Sequence, residues 1–538
     1  MMSNNKITGK FLNRKLRQGA YSAKNNLNKP NIFMITVDMI SPDCYSPSRA
    51  LAKVINTPNL DNIKAEGTRF NRAFTPSPLC GPARAAMFTG MHPPYLTNGE
   101  RAPCGSQIDL KTSDIIFQDY LKSEGYAVKH AGKCHVGIDK FIGTFGENMH
   151  AWDRWGPPVL DDDRYLDYID SMGVKPPVYK RELMGFQSDR QSPGNSFGGW
   201  IMQEDGSPFP EDAHYSVFLA DLAVRQIKAA KRQNPDSPIF SQLDFFDPHQ
   251  PYSIPDGFET RYEEIKQAIT LPVSVHKLID SNELPDNPIY HLYRKYWGLY
   301  DKETITDYIA GHLLQVEVVD FAIGKLVKYL KENDLWNESV ILFSADHGDM
   351  NGRLGMADKG VYFQPDIFSI PLYIKPPSST LPVLSQCDEL VSALDIAPTL
   401  LDFAGVVPPE FMEGCSLRMV AKGEEREPLI QVYQAGMHVG MNLGAGFQLE
   451  IDNKRWFYGY NTATGYQELY NLEQDEQVNL FYTKEGEALQ PAIIKYGAEV
   501  FSSDPRWFGY WASYRLHNME LLPKQHNSDM QMLKPIAS

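Results

Sequence analysis

Residues 31–39 read NIFMITVDM, an almost unbroken apolar run that ends against an aspartate. Alternating polarity would mark a strand with one wet face. Continuity marks a strand covered on both faces, as in a parallel sheet wrapped by helices. Three further stretches repeat the form: YAVKHAGKCH (126–135), PIFSQLDFFDPH (238–249) and SVILFSADHGD (339–349). Each is an apolar or β-rich run that closes on Asp, His or Lys. Helical stretches lie between them. The clearest runs from about Tyr308 to Lys331, where Ile309, Leu313, Val316, Val319, Ile323, Leu326 and Leu330 form an apolar stripe at helical spacing and read as core packing. Strands alternating with helices predict an α/β fold with a mostly parallel central sheet flanked by helices. In such sheets ligands bind beyond the carboxyl ends of the strands. One aspartate at a strand end is commonly a helix cap, but four strand ends carrying Asp, Lys and His predict one convergent site.

The 538 residues suit one large domain plus a smaller one. After about Pro428 the texture shifts to short Tyr-, Phe- and Gly-rich segments (FQLEIDNKRWFYGYN, GYQELYNL) and then a helical EALQPAIIKYGAEVF. These predict a C-terminal antiparallel α+β subdomain. The expected division is a basic arm over 1–30, a catalytic domain over 31–425, the subdomain over 426–500 and an aromatic tail over 501–538. The arm holds seven Lys/Arg and no acid but lacks the apolar core of a secretory signal. No apolar run approaches the ~20 residues of a spanning helix, so the expectation is a soluble, cytoplasmic protein without a membrane partner. A net charge of -15 argues against a general nucleic-acid surface, although a few cations in a cleft can still receive an anion. Six scattered cysteines, with no CxxC pair, are neither a disulfide framework nor a structural zinc site. The insertion over 150–240, rich in Pro, Gly, Asp and aromatics, reads as substrate-facing loop.

The chemistry concentrates in SPLCGPARAAMFTG, residues 77–90. Pro82 suits a first helical position. Cys80 then sits at a helix N-terminus, where backbone N–H groups and the macrodipole favour negative charge. Arg84 lies one turn on, and Gly90 is a plausible stop. The result is an anion pocket with a sulfur in it. A thiolate nucleophile is one use of it and a small core hydrophobe is another; spacing alone leaves both open.

CGPAR (80–84) resembles the C-x-P-x-R core of the type I sulfatases, within the alkaline phosphatase superfamily. Further along, GKCH resembles that family's G-K-x-H, DPHQPY its P-H-x-P-Y and SADHGD its S-D-H/N-G. GMADKG resembles its downstream lysine segment, LDIAPTLLDFAG its late D-I-x-P-T helix and ELYNLEQDEQVNL its closing E-L-Y-D-L motif. Their order along the chain makes chance untenable. The resemblance implies an alkaline-phosphatase-like fold and a Cys80 oxidised to formylglycine by a maturation enzyme. It implies one divalent ion on Asp38, Cys80, Asp346 and His347, with Ca²⁺ first and Mn²⁺ or Mg²⁺ as alternatives. Arg84, Lys133 and Lys359 would hold the sulfuryl oxygens, His135 would take the diol proton and His249 would protonate the leaving alcohol.

Many family members carry a second acid where this chain has Met39. Choline sulfatases and phosphonate monoester hydrolases also lack it and carry the D-H-G form. The implied activity is hydrolysis of a small-molecule sulfate ester. The alternatives are a phosphonate monoester or phosphodiester hydrolase on the same scaffold and a non-catalytic anion-binding relative. Those two groups use C-terminal arms to form oligomers, so the tail's Trp507, Phe508, Tyr510, Trp511 and Tyr514 are expected to reach a neighbour in a homo-oligomer; folding back on their own domain is the competing outcome. Trp152, Trp155, Tyr165 and Tyr168 near Asp161, Asp162 and Asp163 could hold a cation, but loop packing is the preferred reading. Cys44, Cys104, Cys134, Cys387 and Cys415 read as ordinary thiols, with Cys134, inside GKCH, a candidate to line the site.

Overall fold

The structure is a computed structural model that describes residues 29–93, 109–281, 288–426, 432–436, 442–462, 464–474, 478–503 and 507–522. Most of the basic arm, Cys104, three residues of the closing motif and the end of the tail lie outside the described residues. The central sheet is built from β1 (Asn31–Val37), β2 (Thr68–Phe74), β3 (Ala127–Lys133), β4 (His150–Trp152), β7 (Ile239–Asp244), β9 (Ser339–Ala345), β10 (Leu372–Lys375) and β11 (Gln386–Ser392). Their order is β11-β2-β10-β9-β1-β7-β3-β4, and β10 alone among these eight runs against the rest. The continuous apolar runs behave as expected: β7 and β9 are buried at every residue, and β1 at all but its first. The helix predicted from Tyr308 starts earlier, at Lys302, because the Asp301 side chain accepts the Thr304 N–H at 2.9 Å and caps it. It runs to Glu332 and packs on the helix Tyr215–Gln233.

The insertion over 150–240 is more structured than a loop. It contributes β4, the helices Asp163–Ser171 and Tyr215–Gln233, and the hairpin of β5 (Pro177–Phe186) and β6 (Pro193–Gln203). This hairpin pairs in parallel with β8 (Tyr252–Ile254). Trp152 and Tyr165 are buried in the main core, in line with the packing reading of that aromatic cluster.

The C-terminal subdomain is an antiparallel sheet of β12 (Val432–Gly436), β13 (Asn442–Ile451), β14 (Lys454–Asn461) and β15 (Gln467–Asn471), covered by the helix Lys484–Ser502. The tail does not reach outward over its described part. Trp507, Tyr510 and Tyr514 are buried in the subdomain's own core with Phe447, Tyr458 and Phe501. The described part of the tail expected over 501–538 includes the helix Phe508–His517, packed on its own subdomain as in the competing outcome. No helix among the described residues is long and apolar enough to cross a membrane.

Candidate active site

In the sheet, β9, β1, β7 and β3 are consecutive neighbours and all parallel, so their carboxyl ends share one edge. Asp346 and His347 follow β9, Asp38 follows β1, Asp244 ends β7 and Lys133 ends β3. β2 is antiparallel to β10, which is antiparallel to β9, so β2 leaves by the same edge and feeds the helix Cys80–Thr89. Cys80 takes the first helical position and Pro82 the third, a correction to the expected placement. The ring is tolerated there because first-turn N–H groups have no intrahelical acceptor. Gly90 ends the helix at φ 67°, donating its N–H to the Ala86 carbonyl at 2.8 Å.

Around Cys80 the predicted residues converge. Its Sγ lies 3.5 Å from Asp38 Oδ1 and 3.3 Å from His347 Nε2. Arg84 donates from Nε to Asp346 Oδ2 and from Nη1 to the Lys133 carbonyl, both at 2.9 Å. Its Nη2 is buried without a hydrogen-bond acceptor. Lys133 Nζ donates to Asp38 Oδ2. Lys359 Nζ meets Asp358 Oδ1 at 2.9 Å and His249 Nε2 at 2.6 Å. Asp38, Cys80, Arg84, Lys133, His135, His249, Asp346, His347 and Lys359 are each no more than 3 % exposed, so their charges act on one another with little screening by water.

The electrostatics follow from that crowding. Burial and Asp38 oppose ionisation of Cys80, yet Lys133, Lys359 and His347 hold its thiol well below the ordinary cysteine range. Burial also opposes ionisation of Asp38, but Lys133 prevails and keeps it far below the usual carboxylate range. Burial and the neighbouring Asp38 push Asp346 up. Burial lowers His347 while Asp346 and the Cys80 sulfur raise it more, to about 9. Burial and Lys359 press His249 down to about 3. Its Nδ1 faces the Gln250 carbonyl at 2.5 Å and must donate. Its Nε2 therefore carries a lone pair that accepts from Lys359 and, at 3.4 Å, from Trp155 Nε1.

The donor set fits a divalent cation. One atom from each of Asp38, Cys80, Asp346 and His347 lies within 4.8 Å of the others. His347 Nδ1 donates to the Gly348 carbonyl at 3.0 Å, which orients the ring and leaves Nε2 as the ligating nitrogen. Met39, at the position of the missing acid, adopts φ 53°. Its N–H donates to Asp346 Oδ1 at 3.1 Å and its thioether lies 3.7 Å from Lys359 Nζ. It supplies no hard oxygen.

Two residues of the GKCH segment stand apart from these contacts. His135 is buried, but its Nδ1 has no partner and its side chain makes no hydrogen bond to Cys80. Cys134 turns its sulfur to the Trp152 carbonyl at 3.2 Å instead of towards Cys80. Two acids escaped the sequence reading. Asp244 faces Arg84 at 3.8 Å and bonds His130 at 2.9 Å, and Asp358 pairs with Lys359. Asp244 had a signal, since it ends a strand of the same pattern as the one leading to Asp38.

A buried cysteine at a helix N-terminus, beside acids that could hold a cation on the carboxyl edge of a mostly parallel sheet, is an arrangement suited to hydrolysis of anionic esters. The chain belongs to the sulfatase family: the family model for sulfatases matches residues 30–406, and the model for the C-terminal region of N-sulphoglucosamine sulphohydrolase matches 352–495. It is thus a sulfuric ester hydrolase of the alkaline phosphatase superfamily. An arylsulfatase of Clostridium perfringens is 26% identical over 85% of this chain and 91% of its own length. A choline-sulfatase of Rhizobium meliloti is 25% identical over 87% and 85%. Among solved structures, the phosphonate monoester hydrolase of Silicibacter pomeroyi superposes with a TM-score of 0.67 at 18% identity, covering 90% of this chain and 97% of that one.

Proposed function

We infer that the protein hydrolyses a small-molecule sulfate monoester, R–O–SO₃⁻ + H₂O → R–OH + HSO₄⁻, using residue 80 as nucleophile after a maturation enzyme oxidises Cys80 to formylglycine. The observation that carries this reading is the position of Cys80, at the positive end of a wholly buried helix and ringed by two carboxylates, an imidazole and three cations. The hydrated aldehyde supplies one hydroxyl to displace the alcohol and a second whose deprotonation expels sulfate. A divalent ion, Ca²⁺ by the hardness of the carboxylates with Mn²⁺ or Mg²⁺ as alternatives, would sit on Asp38, Asp346, His347 and residue 80, acidifying the hydroxyl and neutralising sulfuryl charge.

The chain's own residues do the rest. Arg84 offers its Nη2, which has no hydrogen-bond acceptor, and Lys133 and Lys359 their ammonium groups, to oxygens that gain charge as the S–O bond breaks. His135, with a free buried Nδ1, is the base for the remaining hydroxyl proton. His249 and Lys359 act as one acid. In the arrangement described, the proton between them rests on Lys359 and His249 accepts it, so delivery to the leaving oxygen begins from the ammonium.

A phosphonate monoester, with the same single charge and tetrahedral oxygens, suits the same donors, and Met39 in place of an acid keeps that second reading in play. Steady-state turnover of 4-nitrophenyl sulfate against 4-nitrophenyl phenylphosphonate decides between them. The expected result is a higher kcat/KM for the sulfate; a higher value for the phosphonate would overturn the assignment.

A further inference from the structure

The leaving alcohol has a neighbour that the catalytic roles do not use. Trp155 is 51% exposed, an unusual state for so large an apolar ring beside a buried site. Its Nε1 donates to His249 Nε2 at 3.4 Å, and its ring stands edge-on to His249 and Phe246 at centroid distances of 5.6 and 5.7 Å. Phe246 in turn stacks on His249 at 5.0 Å. These contacts fix one edge of the indole and leave much of the rest to solvent. In-line displacement places the departing oxygen on the side away from residue 80, towards His249 and Lys359. The carbon bonded to that oxygen then emerges past Trp155.

We propose that Trp155 is a specificity-determining platform for the alcohol half of the substrate, and that this half carries a ring whose flat face lies on the indole. The inference rests on the sulfate-ester reading above. A quaternary ammonium is the other chemistry an indole face can take, but the charges nearby do not suit it. Lys359 lies 2.6 Å from the nitrogen that Trp155 also approaches. Of the acids near in sequence, Asp162 accepts from His150 at 2.7 Å and Tyr215 at 2.8 Å and caps a helix. Asp161 is largely exposed and faces Arg154 at 3.7 Å. A neutral ring fits this surface better than a cation. Aryl and pyranose rings share the required face, and the test separates them.

The measurement is calorimetric binding of intact esters to Cys80→Ala enzyme, which does not depend on turnover. Affinities for 4-nitrophenyl sulfate, glucose 6-sulfate, choline sulfate and ethyl sulfate are compared before and after adding Trp155→Ala or Trp155→Phe. Trp155→Ala should weaken one or both ring-bearing esters by roughly three- to tenfold relative to ethyl sulfate. Trp155→Phe, which keeps a face but loses the N–H, should restore most of that loss. Loss for the aryl ester alone assigns an aryl alcohol, and loss for the sugar alone a pyranose. Equal loss for all four esters would reduce Trp155 to a positioning residue for His249 and overturn the proposal. So would no loss, or the greatest loss for choline sulfate. If the wild-type enzyme turned over no sulfate ester, the functional reading would fail separately, and the binding ratios would still decide the platform.

Discussion

Two clusters of buried charge lie beyond the same edge of the sheet, and they differ in how their acids are placed. In the first, Asp43 meets Arg353 at 3.0 Å, Asp366 meets Arg353 at 3.0 Å and Arg49 at 2.7 Å, and Asn351 bonds Asp43 at 3.1 Å. Signs alternate, two acids against two arginines. Burial opposes ionisation of Asp43, but Arg353 and Arg49 hold its carboxyl below the ordinary range. In the second, around Cys80, the acidic groups crowd against one another even though Arg84, Lys133 and Lys359 stand beside them. Two carboxylates and a thiol with a depressed pKa share one small volume with an imidazole, and an arginine Nη2 lacks an acceptor. Burial of charge is common to both and so does not mark a site. Convergence of four potential ligand atoms within 4.8 Å does, because such a cluster suits a cation or a reacting group.

The contrast predicts opposite failures. Arg353→Ala should cost about 3–5 kcal/mol of stability by stranding buried carboxylates. Cys80→Ala should lower turnover by on the order of 10⁴ or more while shifting the thermal midpoint little. Activity and thermal unfolding measured on both variants check this; a Cys80→Ala enzyme that unfolds as readily as Arg353→Ala would erase the distinction. Within the second cluster, His249→Ala should cost alkyl sulfates about 10²–10⁴ in kcat and activated nitrophenyl sulfates far less, since the latter leave without a proton. Equal losses would make His249 a sulfate-positioning group.

A gentler test concerns Asp320, a buried acid belonging to neither cluster. It accepts the Leu60 N–H at 2.8 Å and the Asn59 N–H at 3.1 Å, and burial raises it to about 6 despite those bonds. A raised acid favours the proton in the folded state, so its contribution is present at low pH and declines as pH rises from about 4 through about 6. Asp320→Asn should flatten that part of the stability-pH curve, by roughly 3 kcal/mol at most. An unchanged slope in denaturant titrations at pH 4 and pH 7 would contradict it.

Much of this was legible in the chain because chemistry and periodicity coincided. The runs leading to Asp38, Lys133, His249 and Asp346 are apolar or β-rich and close on ionisable residues at the sheet edge, so fold and site appear in the same residues. The motif spacings around Cys80 and Lys359 added positions that no periodicity marks. What was hidden depends on tertiary contact. Trp152, Trp155 and Tyr165 have similar local surroundings in sequence, yet two are core and one faces the site. Trp507, Tyr510 and Tyr514 form the same pattern whether they cover a neighbour or their own sheet. Glu468, read as part of a closing motif, accepts from Tyr290 at 2.9 Å, Tyr470 at 2.7 Å and the Phe363 N–H at 3.1 Å. It thereby ties the subdomain to the segment just after Lys359, a link that no one-dimensional pattern contains.

The central claim is that residue 80 works as an oxidised cysteine. It is tested most directly by measuring sulfate release and the mass of the residue-80 peptide on the same preparations, made with graded amounts of maturation enzyme. Conversion of the thiol to the aldehyde lowers the peptide mass by about 18 Da. The account predicts that kcat per chain rises in proportion to the converted fraction and extrapolates to zero at none. Full turnover by protein whose Cys80 remains entirely a thiol would contradict it.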